Sequence, residues 1–365
     1  MGFACGIVGL PNVGKSTLFN ALTESAAAEA ANYPFCTIEP NIGRVPVPDP
    51  RLEVLARLAG SARVVSARLE VRDIAGLVRG ASRGEGLGNR FLAAIREVDA
   101  ILHVLRCFED AEVAHVEGSV DPLRDAELVE TELLLADMES LERRREGLVK
   151  RARGGDGEAR ALLTLIERLL PALEAGTPAR AATLDGEDRR RLRGLQLLTA
   201  KPVLYVCNVE EGAVAGGNAW SRQVAEMAAR QGAETVVISA AIEAELAALA
   251  PEERREYLES LGLAEPGLHR VVRAGYRLLD LVTFFTAGPK EARAWTVPRG
   301  TRAPEAAGVI HSDFARGFIC AEVIAYEDYV ACGGEQGAKE AGRMRLEGRD
   351  YVIRDGDVCL FRFNV

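Results

Sequence analysis

Gly6-Ile7-Val8-Gly9-Leu10-Pro11-Asn12-Val13-Gly14-Lys15-Ser16-Thr17 contains G-x-x-x-x-G-K-S between Gly9 and Ser16, the pattern of a phosphate-binding loop. Its flanks agree. Phe3 to Val8 is a short apolar run suited to a buried strand, and Ser16-Thr17-Leu18-Phe19-Asn20-Ala21-Leu22 opens with helical apolar spacing. Gly9 and Gly14 permit a close backbone approach that a side chain would block. The loop amides then converge on phosphate oxygens at a helix N-terminus. Lys15 is expected to reach the β- and γ-phosphates, and the Ser16 hydroxyl to bind Mg²⁺.

Working outward, Asn32 to Asn41 reads as a loop from its Pro and Asn content. Thr37 within it is the candidate that closes over Mg²⁺ when a γ-phosphate is present. Ala67 to Asp73 alternates as a strand does, and Asp73-Ile74-Ala75-Gly76 is a D-x-x-G element. Asp73 is expected to hold Mg²⁺ through water, and the Gly76 amide to sense the γ-phosphate. The Gly-rich stretch from Gly76 to Gly88 suits a segment that orders and disorders. Many GTPases place a water-orienting Gln directly after D-x-x-G; here the position is Leu77, which cannot bond water. Another group must serve: His115, backbone groups, or a monovalent cation such as K⁺ near Asn12.

Ala100 to Leu105 and Lys201 to Cys207 read as further buried strands, the second ending in Asn208-Val209-Glu210-Glu211. GTPases carry N-K-x-D here, the Asp accepting two hydrogen bonds from guanine. Val209 replaces the Lys and Glu211 the Asp. One extra methylene misplaces the paired guanine contact, whereas adenine lacks those donors and never needed the carboxylate. A mismatch at a polar edge shifts preference by orders of magnitude, so ATP is expected over GTP. Thr235 to Ala241 supplies the last strand, with Ser239 and Ala240 in a turn positioned to touch the base. Strands alternating with helices imply an α/β, doubly wound, mostly parallel sheet.

The chain has 365 residues, 48% apolar and 27% charged, with a formal charge of −9. That is ordinary globular composition and argues against bulk attraction to nucleic acid; no DNA specificity is evident. No apolar run approaches membrane-spanning length, and no basic-then-apolar leader precedes the first motif, so a cytoplasmic protein is expected. Seven scattered cysteines without a C-x-x-C pair fit reduced thiols. Leu134, Met138, Leu141, Arg145 and Leu148 follow a/d-like spacing. Gly154 to Gly157 breaks that helix, and Leu162, Ile166, Leu169 and Leu173 make a second stripe. The two predict a helical hairpin with Arg143, Arg144, Arg145, Lys150, Arg151 and Arg153 near its turn. These are read equally as a contact for RNA or an acidic partner and as a solvated tip. From Leu281, short β-like runs at 283–286, 294–297, 318–323, 351–353 and 358–363 suggest a small α+β module. Gly333 to Gly342 reads as a loop leading to a helix.

Taken together, these residues resemble the YchF group of Obg-like ATPases along essentially the whole chain. The resemblance rests on Gly9 to Ser16, Asn32 to Pro40, Asp73 to Val78, Gly80 to Asn89 and Asn208 to Glu211. In the C-terminal part it rests on Phe284 to Gly288, Ala294 to Thr296, His311 to Phe314 and Gly334 to Lys339. It implies a nucleotide domain over 1–280 with a coiled-coil insertion over 123–200, and a ubiquitin-like TGS domain over 281–365. It further implies Mg²⁺-dependent ATP hydrolysis, with Ser16 and Thr37 as metal ligands, Asn12 to Thr17 cradling phosphates and Val209 against adenine. Leu77 matches a group lacking the usual Gln, and His115 a histidine that compensates. Ribosome association, through the large subunit or its RNA, and redox-sensitive regulation are also implied.

The expected protein is a monomeric cytoplasmic ATPase whose bound ATP or ADP sets a ribosome- or RNA-contacting surface. Its catalysis rests on Lys15 and Mg²⁺, with His115 as candidate donor. An Obg-type GTPase and a nucleotide-sensing ribosome-binding module with negligible turnover are the rivals; a small-molecule kinase is a distant third.

Overall fold

The computed structural model describes residues 3–30, 41–74, 87–110, 113 and 115–364, with the backbone alone at 25–30, 87–90 and 251. Along the chain, β1 (Ala4–Val8) leads through the Gly9–Gly14 loop into α1 (Lys15–Ala30). Then follow β2 (Ile42–Pro46), α2 (Pro50–Ala59), β3 (Val64–Val65), β4 (Arg68–Asp73), α3 (Leu87–Arg96) and β5 (Ala100–Cys107). Every residue of β1 and β5 is buried, which is why both are mainly apolar and show no alternation, His103 and Arg106 being the polar members of β5.

Next come α4 (Pro122–Arg153), α5 (Gly157–Glu174) and α6 (Gly186–Leu195). The expected hairpin is present: Leu134, Leu141, Leu148, Ile166, Leu169 and Leu173 share one core, with Met138 and Leu162 packed on it. Arg145, the polar member of the first stripe, is exposed. Each helix starts on an aspartate whose carboxylate accepts a first-turn amide: Asp121 from Arg124, Asp156 from Ala159 and Asp185 from Asp188.

The chain then returns through β6 (Val203–Val209), α7 (Ala219–Arg230), β7 (Glu234–Ile238), α8 (Ala240–Ala248), α9 (Pro251–Ser260) and α10 (Gly267–Leu278). The first sheet has the order β2-β4-β1-β5-β6-β7, in which β4, β1, β5, β6 and β7 run parallel. This is the α/β fold anticipated. From β1 the winding goes one way to β4 and the other way to β5, β6 and β7. The loop after β1 thus sits where an open α/β sheet binds ligands, at the carboxyl ends beside the reversal.

The last part holds β8 (Leu281–Ala287), β9 (Ala292–Pro298), α11 (Ala303–Ile310), α12 (Ser312–Arg316) and β10 (Phe318–Ala325). It finishes with α13 (Tyr326–Ala331), α14 (Glu335–Glu340), β11 (Arg345–Glu347) and β12 (Asp357–Phe363). Its sheet order is β11-β10-β12-β8-β9-β3, around a core of Phe284, Val297, Phe318, Val323 and Phe361. Two local expectations need correcting. Residues 351–353 contribute only an isolated bridge from Val352 to Arg302, whereas β11, too short to show a period, pairs with β10. The stretch read as a loop holds α14, entered through Gly333 and Gly334 at φ +71° and +121°.

Two compact units result: Phe3–Arg44 with Glu70–Gly275, and Val45–Leu69 with Tyr276–Val365. The segment carrying α2 and β3 lies inside the span expected for the nucleotide domain, yet it is grouped with the C-terminal module, where β3 pairs with β9.

Candidate functional site

The loop between β1 and α1 is held in shape from below. A Cβ on Gly9 would lie 2.5 Å from the Val104 carbonyl oxygen, and one on Gly14, whose φ is +96°, would collide with the Asn208 amide nitrogen. Asn12 adopts φ +62°, the left-handed conformation that Asn tolerates. The Val13 side chain is buried, while Asn12, Ser16 and Thr17 are exposed at the helix start.

Asn208, at the end of β6, is buried and spends its amide on two partners. Nδ2 donates to the Val13 carbonyl at 3.0 Å, and Oδ1 accepts from the Ala240 amide at 2.9 Å. It therefore fastens the phosphate loop to the start of α8. Ser239, also buried, is the N-terminal flank of that helix. Val209 is buried as the last residue of β6, and Glu211 is exposed in a short 3-10 turn just beyond. Thus one bridging side chain gathers the loop, the Asn208–Glu211 segment and the Ser239–Ala240 turn.

Lys15 is only 7% exposed, and its ammonium donates to the Leu10 carbonyl at 2.6 Å. Burial lowers its pKa from 10.5 to about 8, partly offset by the nearby Asp73 carboxylate. Ser16 Oγ donates to Asp73 Oδ2 at 3.4 Å, a long contact. Asp73 Oδ1 is buried with no hydrogen-bond partner among the described residues, and burial raises the Asp73 pKa. An orphaned carboxylate oxygen beside an exposed hydroxyl is a hard-oxygen pair suited to a divalent cation. The residues present therefore fit Mg²⁺. Thr37, Gly76 and Leu77 lie outside the described residues.

His115 is not displayed toward solvent. Nε2 lies 2.9 Å from Asp125 Oδ2, and Nδ1 accepts from the Glu117 amide at 3.1 Å. Its contacts are with its own loop and the first turn of α4.

The MMR_HSR1 family model, described as a 50S ribosome-binding GTPase, matches residues 4–133, and the YchF-GTPase_C model, described as a protein of unknown function (DUF933), matches 281–364. The "Ribosome-binding ATPase YchF" of Haemophilus influenzae is 58% identical over 365 residues, covering 100% of both chains. That of Bacillus subtilis is 53% identical over the full length of both. A solved structure, the Schizosaccharomyces pombe YchF GTPase, superposes with a TM-score of 0.90 at 38% identity, covering 99% of this chain and 98% of that one.

The chain belongs to the YchF family.

In this member of the YchF family, the sequence displays the phosphate-loop motif, the Asn208–Glu211 segment and the Ser239–Ala240 turn but not what joins them. Nothing in the chain signals that Leu10 receives the Lys15 ammonium, that Asn208 reaches Val13 across 195 positions, or that Asp125 takes the His115 ring. Each depends on which strands and helices become neighbours.

Proposed function

We propose that this chain is a Mg²⁺-dependent nucleoside-triphosphate hydrolase that prefers ATP over GTP and acts as a nucleotide-controlled, ribosome-associated switch. The cluster of Lys15, Ser16 and Asp73 carries the hydrolase reading. Among the described residues, a buried ammonium held by one carbonyl, next to a carboxylate oxygen with no hydrogen-bond partner, makes a site prepared for a polyanion and its counter-cation. Lys15 would transfer its donors from Leu10 to β- and γ-phosphate oxygens, where its charge matters most as the bridging bond breaks. Ser16, Thr37 and Asp73 would hold the metal, which when bound neutralises charge on the same oxygens. The amides of Asn12 to Thr17 would orient the phosphates, fixing the line of attack for water.

The base reading rests on Val209 and Glu211. Neither a lysine stem nor an aspartate stands where guanine would be gripped, which supports adenine. The names of the Haemophilus influenzae and Bacillus subtilis relatives support ATPase activity and ribosome binding. We extend the reading to a monomer working in the cytoplasm, meeting the large ribosomal subunit or its RNA, with K⁺ near Asn12 as an auxiliary. An Obg-type GTPase is the competing reading, favoured by the description of the fission-yeast structure.

Titration of purified chain with labelled ATP and GTP separates these; tighter GTP binding ends the adenine argument. Phosphate release compared with Lys15→Ala tests turnover, and equal rates would leave a binding module without catalysis. Co-sedimentation with ribosomes in the ATP-analogue, ADP and nucleotide-free states tests the switch. Sedimentation identical in all three would rule it out.

A further inference from the structure

Arg106 is buried near the end of β5, paired in register with Asn208. Its guanidinium is spent on the loop that follows. Nε donates to the Phe108 carbonyl at 3.1 Å, one Nη to Val113 at 2.9 Å and the other to Asp110 at 3.2 Å, with the Phe108 ring 4.7 Å away. The start of this loop is therefore tied to the carboxyl end of β5, a central strand beside the phosphate loop, since the carbonyl of Val104 on the same strand lies directly under Gly9.

The far part of the loop is tied elsewhere. His115 Nδ1 accepts the Glu117 amide, so Nδ1 carries no proton and the single N–H of the neutral ring is on Nε2. That N–H is directed at Asp125 Oδ2, 2.9 Å away, inside a pocket where the His115 and Asp125 side chains are 5% and 1% exposed. Asp125 Oδ1 is in turn held by the Arg124 guanidinium at 3.1 Å. Asp125 lies in the first turn of α4, whose start is fixed by the Asp121 cap and Pro122. The ring thus has no proton left to offer a water or a phosphate while it is bonded to the base of the helical insertion.

We propose that Asp125 is a positioning residue that withholds His115 from the nucleotide, and that displacement of α4 by a ribosome bound to the insertion releases the ring for hydrolysis. This rests on the reading of His115 as the donor that replaces the missing Gln. The bond is a coupling element: its acceptor belongs to the insertion, and its donor to a loop sprung from the carboxyl end of β5.

The test uses the full chain as Asp125→Asn, His115→Ala and the double variant, with melting and ATP affinity measured alongside. Asparagine keeps the shape and an acceptor but removes the charge that strengthens the bond. Asp125→Asn is expected to raise basal kcat about five- to tenfold with KM within twofold, and to shrink ribosomal stimulation in proportion. The double variant should behave as His115→Ala, because the gain acts through the ring; a merely structural effect would persist without it. Unchanged or lower turnover in Asp125→Asn, with His115→Ala impaired, overturns the brake alone. Wild-type turnover in His115→Ala overturns the donor reading, and the brake with it. Should Asp125→Asn fail to fold, deuterium exchange at the His115 imidazole C2, read by mass spectrometry on wild type, decides. Exchange should be slow in the free chain and faster with ribosomes plus a non-hydrolysable ATP analogue. Equal exchange in both states overturns the proposal.

Discussion

Lys15 makes the site pH-sensitive in a direction that can be worked out. Burial depresses its pKa to about 8, and a bound triphosphate must raise it again. Nucleotide binding therefore couples to proton uptake once the pH exceeds about 8. Affinity should be flat below that pH and fall by up to about tenfold per unit above it. Isothermal titration in buffers of different ionisation enthalpy would show the uptake, and Lys15→Met should abolish the slope. Asn208 is the other single residue on which the site turns. Asn208→Ala leaves the Val13 carbonyl and Ala240 amide without their buried partner, at a cost of about 2–4 kcal/mol. Both melting temperature and nucleotide affinity should drop. Gly14→Ala should lose nucleotide binding outright, since the added methyl collides with the Asn208 amide at a φ that disfavours any Cβ.

At the scale of elements, the hairpin of α4 and α5 has an apolar core of its own, with Leu134, Leu141, Leu148, Ile166, Leu169 and Leu173 packed together. With 32 residues, α4 spans roughly 48 Å, and most of its stability must come from the leucine seam and not from helix propensity. Leu141→Ala, at a fully buried position of that seam, should destabilise the hairpin by about 3 kcal/mol. ATP affinity should stay within twofold, because none of the loop's bridges passes through it. Circular dichroism melting with and without ATP analogue would show the two effects apart. Among the described residues, two of the basic side chains at the hairpin turn are in ion pairs, Arg143 with Glu139 and Arg151 with Asp156. The helical periodicity of this region was plain in the sequence because both stripes are long. The three-residue β11 carried no comparable signal, and Val352 showed β-like composition while making just one bridge.

For the whole molecule, the division into units departs from the order of the chain. Val45–Leu69 is grouped with the C-terminal module, and Arg51 shows one means. Its guanidinium binds Asp49 at 2.7 Å and Asp355 at 2.7 Å and lies 5.2 Å from the Phe285 ring centre, while Asp355 also accepts the Thr283 amide. Arg51→Ala should cost about 2 kcal/mol, confined to this unit. Amide exchange should rise over 281–364 with ATP affinity unchanged; a uniform rise across the chain would contradict the confinement. Among the described residues no helix is long and apolar enough to cross a membrane.

Contiguous sequence was enough to establish the phosphate loop, the alternation of strands and helices, the helical hairpin and the replacement of lysine and aspartate by Val209 and Glu211. All of these are written within a few turns of chain, where local sterics and periodicity act. Folding alone supplied the links between distant positions: Asn208 to Val13, Arg51 to Asp355, and the ring of His115 turned onto Asp125 with its one proton committed. No short-range pattern encodes such links, because each is a hydrogen bond or ion pair whose partner is chosen by the packing of elements far apart in sequence.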